Sequence, residues 1–288
     1  MTLHPTAKVN LFLSVVRRRE DGFHELETLF HRAPIADQIT VTLQGTGIEL
    51  TCDDPSLPVD ADNLVYRAAQ RFFQESGLPA TARIHLAKRI PHQAGLGGGS
   101  SDAAATLRAL NRTHANPLPP AILHSIAAEL GSDVPYFLMD GPALAVGRGE
   151  KLKELDAFPA LEGHWFVLAK PEFGVPTGWA YGQLAHFDGC LGARQGEAEA
   201  VAQRLARGDW PDPNAFFNSF EGPVFHKFPV LGLIRDHFLQ HGARVSLLSG
   251  SGAAVFGIFS NESAARSAQE SIAPQFGPGV WSHVAPHA

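Results

Sequence analysis

The sequence predicts an α+β fold built from two lobes. Two observations lead to this prediction. The first half of the chain places a glycine-rich loop and a helix after a run of strands, and the second half alternates strands and helices in the order βαββαβ. At 288 residues the chain is long enough for two modest domains or one large one. We place the boundary between residues 158 and 159, where Pro159 and Gly163 interrupt the pattern.

The N-terminal domain, residues 1–158, contains three predicted strands and three predicted helices. The strands are residues 7–15, 37–43 and 81–86, and the first has Lys8 and Asn10 on its more polar face. Asp62 or Asn63 can cap a helix that continues to Ser76 and ends at Gly77. The other two helices are residues 102–111 and 121–130.

The C-terminal domain, residues 159–288, carries the βαββαβ order, which is a ferredoxin-like pattern. Its predicted strands are residues 164–169, 244–248, 253–259 and 280–284. Its predicted helices are residues 230–240 and 262–272. Residues 174–228 form an insertion for which the sequence predicts no definite structure.

The composition indicates a soluble globular protein from a reducing compartment. Apolar residues make up 44% of the chain, enough for a core, and the net charge is −6. This acidic balance argues against nucleic acid and anionic membranes as partners, because both select a basic face. Two cysteines are too few for a disulfide scaffold, and the apolar run at 11–16 is too short for a signal or membrane segment. We therefore expect a cytoplasmic protein. As separate expectations, not drawn from composition, we take it to be a monomer or weak homodimer with small-molecule substrates only.

A glycine-rich loop is the most informative segment of the chain. Its glycines and hydroxyl residues follow the order Gly95, Leu96, Gly97, Gly98, Gly99, Ser100, Ser101. A backbone without Cβ atoms approaches an oxyanion closely, and the following helix adds unpaired N–H groups and the positive end of its dipole. Neither the dinucleotide pattern G-x-G-x-x-G nor the Walker pattern with Gly-Lys fits. The loop is therefore a phosphate-binding loop of another kind or an ordinary glycine-rich turn.

With its neighbours the loop resembles the ATP-binding signature of the GHMP kinases, in the form P-x-x-x-G-L-G-G-G-S-S-(D/N)-A-A. Segments 7–13 with 21–24, 131–135 and 248–252 are similar to one branch of that family. The resemblance implies the two-lobed GHMP kinase fold, with an ATP-binding N-terminal lobe and a ferredoxin-like C-terminal lobe, and ATP with Mg²⁺ as cofactors. The implied reaction phosphorylates the 2-hydroxyl of 4-(cytidine 5'-diphospho)-2-C-methyl-D-erythritol in the non-mevalonate pathway of isoprenoid biosynthesis.

Asp133 is the candidate catalytic base. It lies two residues before Pro135, a position where aspartate is often a plain helix cap. A carboxylate near a helix N-terminus also stays ionised and fixed, which suits a group that accepts a proton from an alcohol. The resemblance implies that Asp133 is the base and that Lys8 pairs with it and approaches the transferring phosphoryl group. Without the resemblance, Lys8 would be a solvated strand residue.

The resemblance also assigns the ATP contacts. They fall on the glycine loop and the segment before it, namely Lys88, Pro91, Gly95, Leu96, Gly97, Gly98, Gly99, Ser100, Ser101 and Asp102. Lys88 corresponds to a position near the ATP base, with a solvated surface lysine as the alternative. Ser100 or Ser101 could touch the metal, and we assign no residue as a metal ligand.

The implied acceptor site consists of Asn10, Phe23, His24, Thr177 and Tyr181. Asn10 contacts the acceptor, Phe23 stacks on cytosine, and His24 forms a hydrogen bond with the edge of the base. The family commonly has tyrosine where this chain has Phe23, so the stacking is kept and a hydroxyl contact is lost. Thr177 and Tyr181 match a segment that closes the other side of the cytosine.

Two other functions compete with this interpretation. A GHMP kinase for mevalonate or homoserine would need neither the triple glycine nor the Phe23-His24 pair. A non-catalytic sensor on the same fold would have no use for Lys8 together with Asp133. Residues 249–252 resemble a second glycine motif of the family, or form a tight hairpin. The run at 17–19, three arginines, is a solvated turn or a contact to a diphosphate.

Overall fold

The computed structural model describes residues 1–287, which form thirteen strands and nine α-helices. The strands are β1 Thr2–Leu3, β2 Thr6–Arg18, β3 His24–Ala36, β4 Gln38–Thr42, β5 Gly47–Cys52, β6 Thr81–Ala87, β7 Ala143–Gly147, β8 Lys151–Glu154, β9 Trp165–Lys170, β10 Phe217–Asn218, β11 Ala243–Leu248, β12 Val255–Phe259 and β13 Trp281–Pro286. The α-helices are α1 Leu64–Ser76, α2 Gly98–Thr113, α3 Pro120–Leu130, α4 Thr177–Gln183, α5 Ala198–Ala206, α6 Glu221–Lys227, α7 Pro229–Gln240, α8 Glu262–Glu270 and α9 Ile272–Phe276.

The chain divides into two compact units, each made of more than one segment. The first unit contains Met1–Ala7, Ile35–Pro91 and Gly97–Asp140. The second unit contains Lys8–Pro34, His92–Leu96 and the chain from Gly141 onward. None of the helices within residues 1–287 combines the length and the apolar character that crossing a membrane requires.

The first unit is a four-stranded sheet with three helices. The sheet has the order β1-β4-β6-β5, in which β6 pairs antiparallel with β4 and parallel with β5. Helix α1 begins where the Asn63 side chain accepts a hydrogen bond from Val65 N, and it ends at Gly77, whose φ is 66°. These bounds confirm the predicted strands 37–43 and 81–86 and the predicted capped helix.

Helix α2 begins earlier than predicted. The sequence places its start at Asp102, because glycine is a poor helix former, whereas the structure starts it at Gly98. Gly97 precedes it in the left-handed region, with φ 70°. The helix therefore includes Gly98 and Gly99, and its first turn is the last part of the glycine loop.

The second unit contains two sheets. One has the order β10-β2-β3-β7-β8, and both faces of β2 are buried from Ala7 to Val15. The other has the order β11-β12-β9-β13 with antiparallel neighbours throughout. Along the chain, β9, α7, β11, β12, α8 and β13 reproduce the predicted βαββαβ order. Side chains from this sheet and its helices share one core, including Val167, Ile234, Phe238, Val255 and Ala265.

Candidate functional site

The glycine loop has a conformation that requires glycine at two positions. Gly95 and Gly97 have φ values of 74° and 70°, in the left-handed region that other residues rarely adopt. A Cβ atom on Gly95 would lie 2.0 Å from the backbone oxygen of Ser249. A Cβ on Gly98 would lie 3.0 Å from Ile90 Cγ2. The protein itself therefore excludes side chains from much of the loop.

The start of α2 supplies donors for an anion. Ser101 N donates to Gly97 O at 2.9 Å, the first hydrogen bond of this helix. Helix geometry leaves the N–H groups of the preceding residues, Gly98, Gly99 and Ser100, without an intrahelical acceptor. These groups and the positive end of the helix dipole are suited to bind phosphate oxygens.

The two serines of the loop differ in their surroundings. Ser101 is buried, and its hydroxyl donates to the backbone oxygen of Thr6 at 2.7 Å. Ser100 is half-buried, and its hydroxyl makes no hydrogen bond to another residue within 1–287. Ser100 is therefore the serine whose oxygen is available to a phosphate or a metal ion.

Lys88 lies in a buried cluster of three charged groups in the first unit. Its ammonium bonds to Asp37 and donates to Asp102 Oδ2 at 2.8 Å, and the lysine side chain is 10% exposed. Asp37 also accepts the backbone N–H groups of Arg89 and Ile90. The Lys88 ammonium thus joins the segment before the glycine loop to helix α2. Surface solvation, the alternative considered for Lys88, does not describe this position.

The cluster contains one cation and two acids, and this excess of acid shifts the pKa values of Asp102 and Lys88. Burial raises the pKa of Asp102 to about 7; the charge of Lys88 opposes the rise, and the charge of Asp37 adds to it. Burial lowers the pKa of Lys88, but the charges of Asp102 and Asp37 outweigh this effect and leave the pKa raised. Asp102 Oδ1 is buried and makes no hydrogen bond to residues 1–287. The sequence alone indicates Asp37 only as the first residue of a predicted strand, and nothing in it points to a partner for this acid.

Lys8 and Asn10 lie side by side in the second unit and both are buried. Lys8 Nζ donates to Asn10 Oδ1 at 2.9 Å and lies 5.2 Å from the centre of the Phe30 ring. Asn10 Nδ2 donates to Thr28 Oγ1 at 2.7 Å. The backbone N–H of Lys8 donates to Leu96 O at 2.9 Å, which connects β2 with the glycine loop. The structure therefore orients the Lys8 ammonium through Asn10.

The second glycine segment, Ser249–Gly252, is a turn between β11 and β12 that also contacts Asn10. Gly250 N donates to Asn10 Oδ1 at 2.9 Å, and Ser249 Oγ donates to Gly95 O at 3.0 Å. A Cβ on Gly250 would lie 3.5 Å from Lys8 Nζ. The segment is thus a tight turn between two strands, and it lies against Lys8 as well.

Asp133 lies in the first unit, between α3 and a short 3₁₀ helix, Pro135–Leu138. Val134 occupies the N-cap position of that helix, and no side chain caps it. Asp133 is half-buried. The role of Asp133 as the base and its pairing with Lys8 stay predictions.

The predicted acceptor residues all belong to the second unit, and two of them, His24 and Tyr181, are in direct contact. The rings of His24 and Tyr181 stack with centroids 4.7 Å apart, and Tyr181 packs edge-on against Phe220 at 4.8 Å. Phe23 is 54% exposed, and the Arg148 guanidinium lies 4.7 Å from the centre of its ring. Burial and the charge of Arg18 lower the pKa of His24, so the imidazole is neutral at pH 7.

The remaining candidates have simpler surroundings. Thr177 Oγ1 and Ser251 Oγ are 3.0 Å apart, which connects the start of α4 with the second glycine segment. The expected turn at residues 17–19 is not observed, because Arg17 and Arg18 are the exposed end of strand β2. Arg19, the next residue, forms ion pairs with Asp21 at 3.0 Å and Glu25 at 3.4 Å. Within residues 1–287, no group of three or more His, Cys, Asp or Glu side chains could hold a metal ion.

Known protein families and relatives match this chain over most of its length. Residues 63–141 match the family "GHMP kinases N terminal domain", and residues 198–279 match "GHMP kinases C terminal". A 4-diphosphocytidyl-2-C-methyl-D-erythritol kinase from Salinibacter ruber is 41% identical over 272 residues, covering 93% of each chain. The protein of the same name from Chlorobaculum parvum is 42% identical over 272 residues, covering 94% of this chain and 93% of its own.

Solved structures agree with these matches. The crystal structure of a 4-(cytidine 5'-diphospho)-2C-methyl-D-erythritol kinase has a TM-score of 0.82 and 38% identity, and the match covers 100% of both chains. A homoserine kinase from Cytophaga hutchinsonii has a TM-score of 0.75 at 20% identity, covering 100% of this chain and 94% of its own. The second likeness concerns the fold alone. Together they confirm the α+β kinase fold expected from the sequence.

Proposed function

This chain belongs to the GHMP kinase family, and on that premise we propose that it transfers the γ-phosphoryl group of ATP to the 2-hydroxyl of 4-(cytidine 5'-diphospho)-2-C-methyl-D-erythritol. The products are the 2-phosphate and ADP. The observation that carries the choice of acceptor is the aromatic group of the second unit. The exposed ring of Phe23 offers a stacking surface, and His24, whose ring stacks on Tyr181, offers a neutral hydrogen-bonding edge. An acceptor without a base would not need this group.

ATP phosphates bind at the start of α2 in this proposal. The N–H groups of Gly98, Gly99 and Ser100 point along the helix axis, and the helix dipole favours negative charge there. Mg²⁺ accompanies ATP, and when bound it neutralises charge on the phosphate oxygens. The Ser100 hydroxyl is the protein oxygen suited to that ion. The chain has no acidic metal cluster within residues 1–287, so we expect phosphates and water to supply most ligands.

The transfer itself forms one bond and breaks one. The acceptor hydroxyl oxygen bonds to the γ-phosphorus as the bond between that phosphorus and the β,γ-bridging oxygen breaks, and the hydroxyl proton passes to Asp133. Lys8 stabilises negative charge on the transferring group, in an orientation set by its hydrogen bond to Asn10. Because the transition state of phosphoryl transfer is loose, positioning and charge matter more than the strength of the nucleophile.

The proposal is tested by measuring ADP release from the purified protein with four acceptors in parallel. These are the cytidine diphosphate acceptor, methylerythritol phosphate, mevalonate and homoserine. We expect kcat/KM for the first acceptor to exceed that for the others by about 5- to 150-fold, since stacking contributes roughly 1–3 kcal/mol per base. Comparable or greater turnover with mevalonate or homoserine would replace this proposal with the rival kinase. ATP binding without turnover on any acceptor would favour the sensor.

A further inference from the structure

Asn218 is a buried residue that the sequence analysis did not single out. It ends β10, which pairs parallel with β2 and places Asn218 opposite Leu13. The side chain is 2% exposed, and all of its polar atoms have partners. Nδ2 donates to Leu248 O at 2.7 Å and to Gly250 O at 2.8 Å, and Oδ1 accepts from Phe220 N at 2.9 Å. One amide therefore holds two carbonyl groups of the β11–β12 connection.

Glu221, three residues later, binds the same β11–β12 connection at the backbone N–H of Leu248, whereas Asn218 binds the C=O of that residue. Its Oε1 accepts the backbone N–H of Leu248 at 2.9 Å, and Arg235 lies 3.7 Å from its Oε2. Asn218 and Glu221 together bind both the N–H and the C=O of Leu248. The segment Asn218–Glu221 is thus a clamp on the entry to the second glycine segment, and we call it the N-x-x-E clamp.

The clamp continues to Lys8 through hydrogen bonds. Gly250 has φ 55°, in the left-handed region, and its C=O is held by Asn218. Its N–H donates to Asn10 Oδ1, which is also the acceptor of the Lys8 ammonium at 2.9 Å. The backbone on both sides of Gly250 is therefore fixed, one side by Asn218 and the other by Asn10. If the turn rotates, Asn10 Oδ1 loses the Gly250 donor, and only the hydrogen bond from Asn10 Nδ2 to Thr28 still fixes the amide from its other end.

We propose that Asn218 is a positioning residue for Lys8, acting through Gly250 and Asn10. The proposal rests on the proposed function, because it takes the Lys8 ammonium as the group that meets the transferring phosphoryl oxygens. Because Asn218 is buried and its amide is fully used within the protein, we expect it to contact neither ATP nor the acceptor. Its loss should therefore lower kcat and leave the KM for ATP nearly unchanged, since misplacement of a catalytic group by about 1 Å can cost about 100-fold in rate.

Asn218→Asp is the most informative variant. An ionised carboxylate there would place an oxygen against two carbonyl oxygens and remove both donors, whereas the protonated acid restores one O–H donor. We expect kcat at pH 8 to fall about 10- to 100-fold, and the deficit relative to wild type to narrow at least about 3-fold at pH 5.5. The charged groups nearby are Glu221 from α6, Arg235 and Asp236 from α7, and Lys8 from β2. Burial raises the pKa of Glu221 to about 7, so the deficit is taken relative to wild type at each pH.

A matched control is Asn111→Asp. Asn111 is another buried amide that donates to a backbone carbonyl, that of Leu118 at 3.0 Å, near the end of α2. We expect its kcat to differ from wild type by less than about 2-fold at both pH values, because no hydrogen bond connects it to Lys8. If Asn218→Asp does not fold, Asn218→Ser, which keeps one donor, replaces it, with an expected loss of about 3- to 10-fold in kcat.

A measurement independent of turnover separates this inference from the proposed function. The ¹⁵N resonance of the Lys8 ammonium, assigned by its absence in Lys8→Met, should shift in Asn218→Asp and stay in place in Asn111→Asp. A folded Asn218→Asp or Asn218→Ser variant with an unshifted Lys8 resonance overturns the inference, whatever the activity. A pH-independent loss in Asn218→Asp also overturns it. If wild type fails to phosphorylate the cytidine acceptor while the resonance shifts as expected, only the proposed function fails.

Discussion

Replacing Asp102 with asparagine should stabilise this protein at high pH and have little effect at low pH. Asp102 shares the Lys88 ammonium with Asp37 inside the first unit, so one of the two acids lacks a full counter-charge. Asparagine keeps an oxygen that accepts from Lys88 and carries no charge. The substitution also matches the alternative residue that the ATP-binding signature of the family allows at this position.

The magnitude follows from the protonation equilibrium of Asp102. Below pH 3.8 the acid is protonated in both the folded and unfolded chain, and no penalty exists. As the pH rises the unfolded chain loses the proton first, so the free energy of unfolding falls until the pH passes about 7. Each unit of pKa difference between the folded and unfolded chain lowers the free energy of unfolding by about 1.36 kcal/mol, so the full loss of stability is roughly 4 kcal/mol. Of this loss, about 2–3 kcal/mol occurs between pH 5 and pH 8.

Urea unfolding of the wild type and Asp102→Asn at pH 5 and pH 8 measures this difference. We expect the stability gain of the variant to be about 2–3 kcal/mol larger at pH 8 than at pH 5. Asp140→Asn is the control, because that carboxylate lies in the same unit with its side chain 91% exposed, and we expect changes within about 0.5 kcal/mol. A gain for Asp102→Asn that is equal at both pH values, or a loss at pH 8, would refute the account of the buried cluster.

Three further predictions concern turnover and binding. Asp133→Asn should lower kcat by about 10²- to 10⁴-fold with ATP still bound, and a kcat of Asp133→Asn within about 2-fold of wild type would contradict the base role. The double variant of Asp133→Asn with Lys8→Ala should be little slower than the slower single variant, because residues that act as a unit are not additive. Tyr181→Ala should raise the KM for the cytidine acceptor by about 5- to 100-fold and leave the KM for ATP unchanged, as steady-state kinetics would show. Gly99→Ala should weaken ATP binding in calorimetry without loss of stability, whereas Gly95→Ala should lower the free energy of unfolding by about 2–4 kcal/mol.

Local signals in the sequence were enough to predict the elements that begin and end on capping residues. Helix α1 follows Asn63 and stops at Gly77 in the left-handed conformation, as its capping residues predict. Strand β3, at His24–Ala36, was missed because its burial does not alternate: residues 26–31 are all buried, and Pro34 interrupts the run. A strand with two covered faces has no period of two for a sequence to reveal.

The candidate site shows the same division between local and long-range information. The glycine loop was identifiable because its chemistry lies in one continuous segment. The partners that orient its neighbours lie far apart in the chain: Asp37 is 51 residues from Lys88, and Gly250 is 240 residues from Asn10. A buried hydrogen bond between distant residues has no periodicity or composition that marks it, so Asp37 and Asn218 became visible only in the folded chain.

The glycines of the loop serve two different purposes, and the space around each one separates them. At Gly95 the backbone oxygen of Ser249 occupies the place of a side chain, so packing within the protein alone accounts for glycine there. At Gly99 a Cβ atom would have Leu64 Cδ1 as its nearest neighbour, at 3.7 Å, an ordinary contact that the fold tolerates. Glycine inside a helix costs about 1 kcal/mol relative to alanine, and nothing in the fold of the first unit compensates for that cost at Gly99. We propose that a phosphate bound at the N–H groups of α2 accounts for it, because a methyl group on Gly99 would occupy space that the phosphate oxygens need.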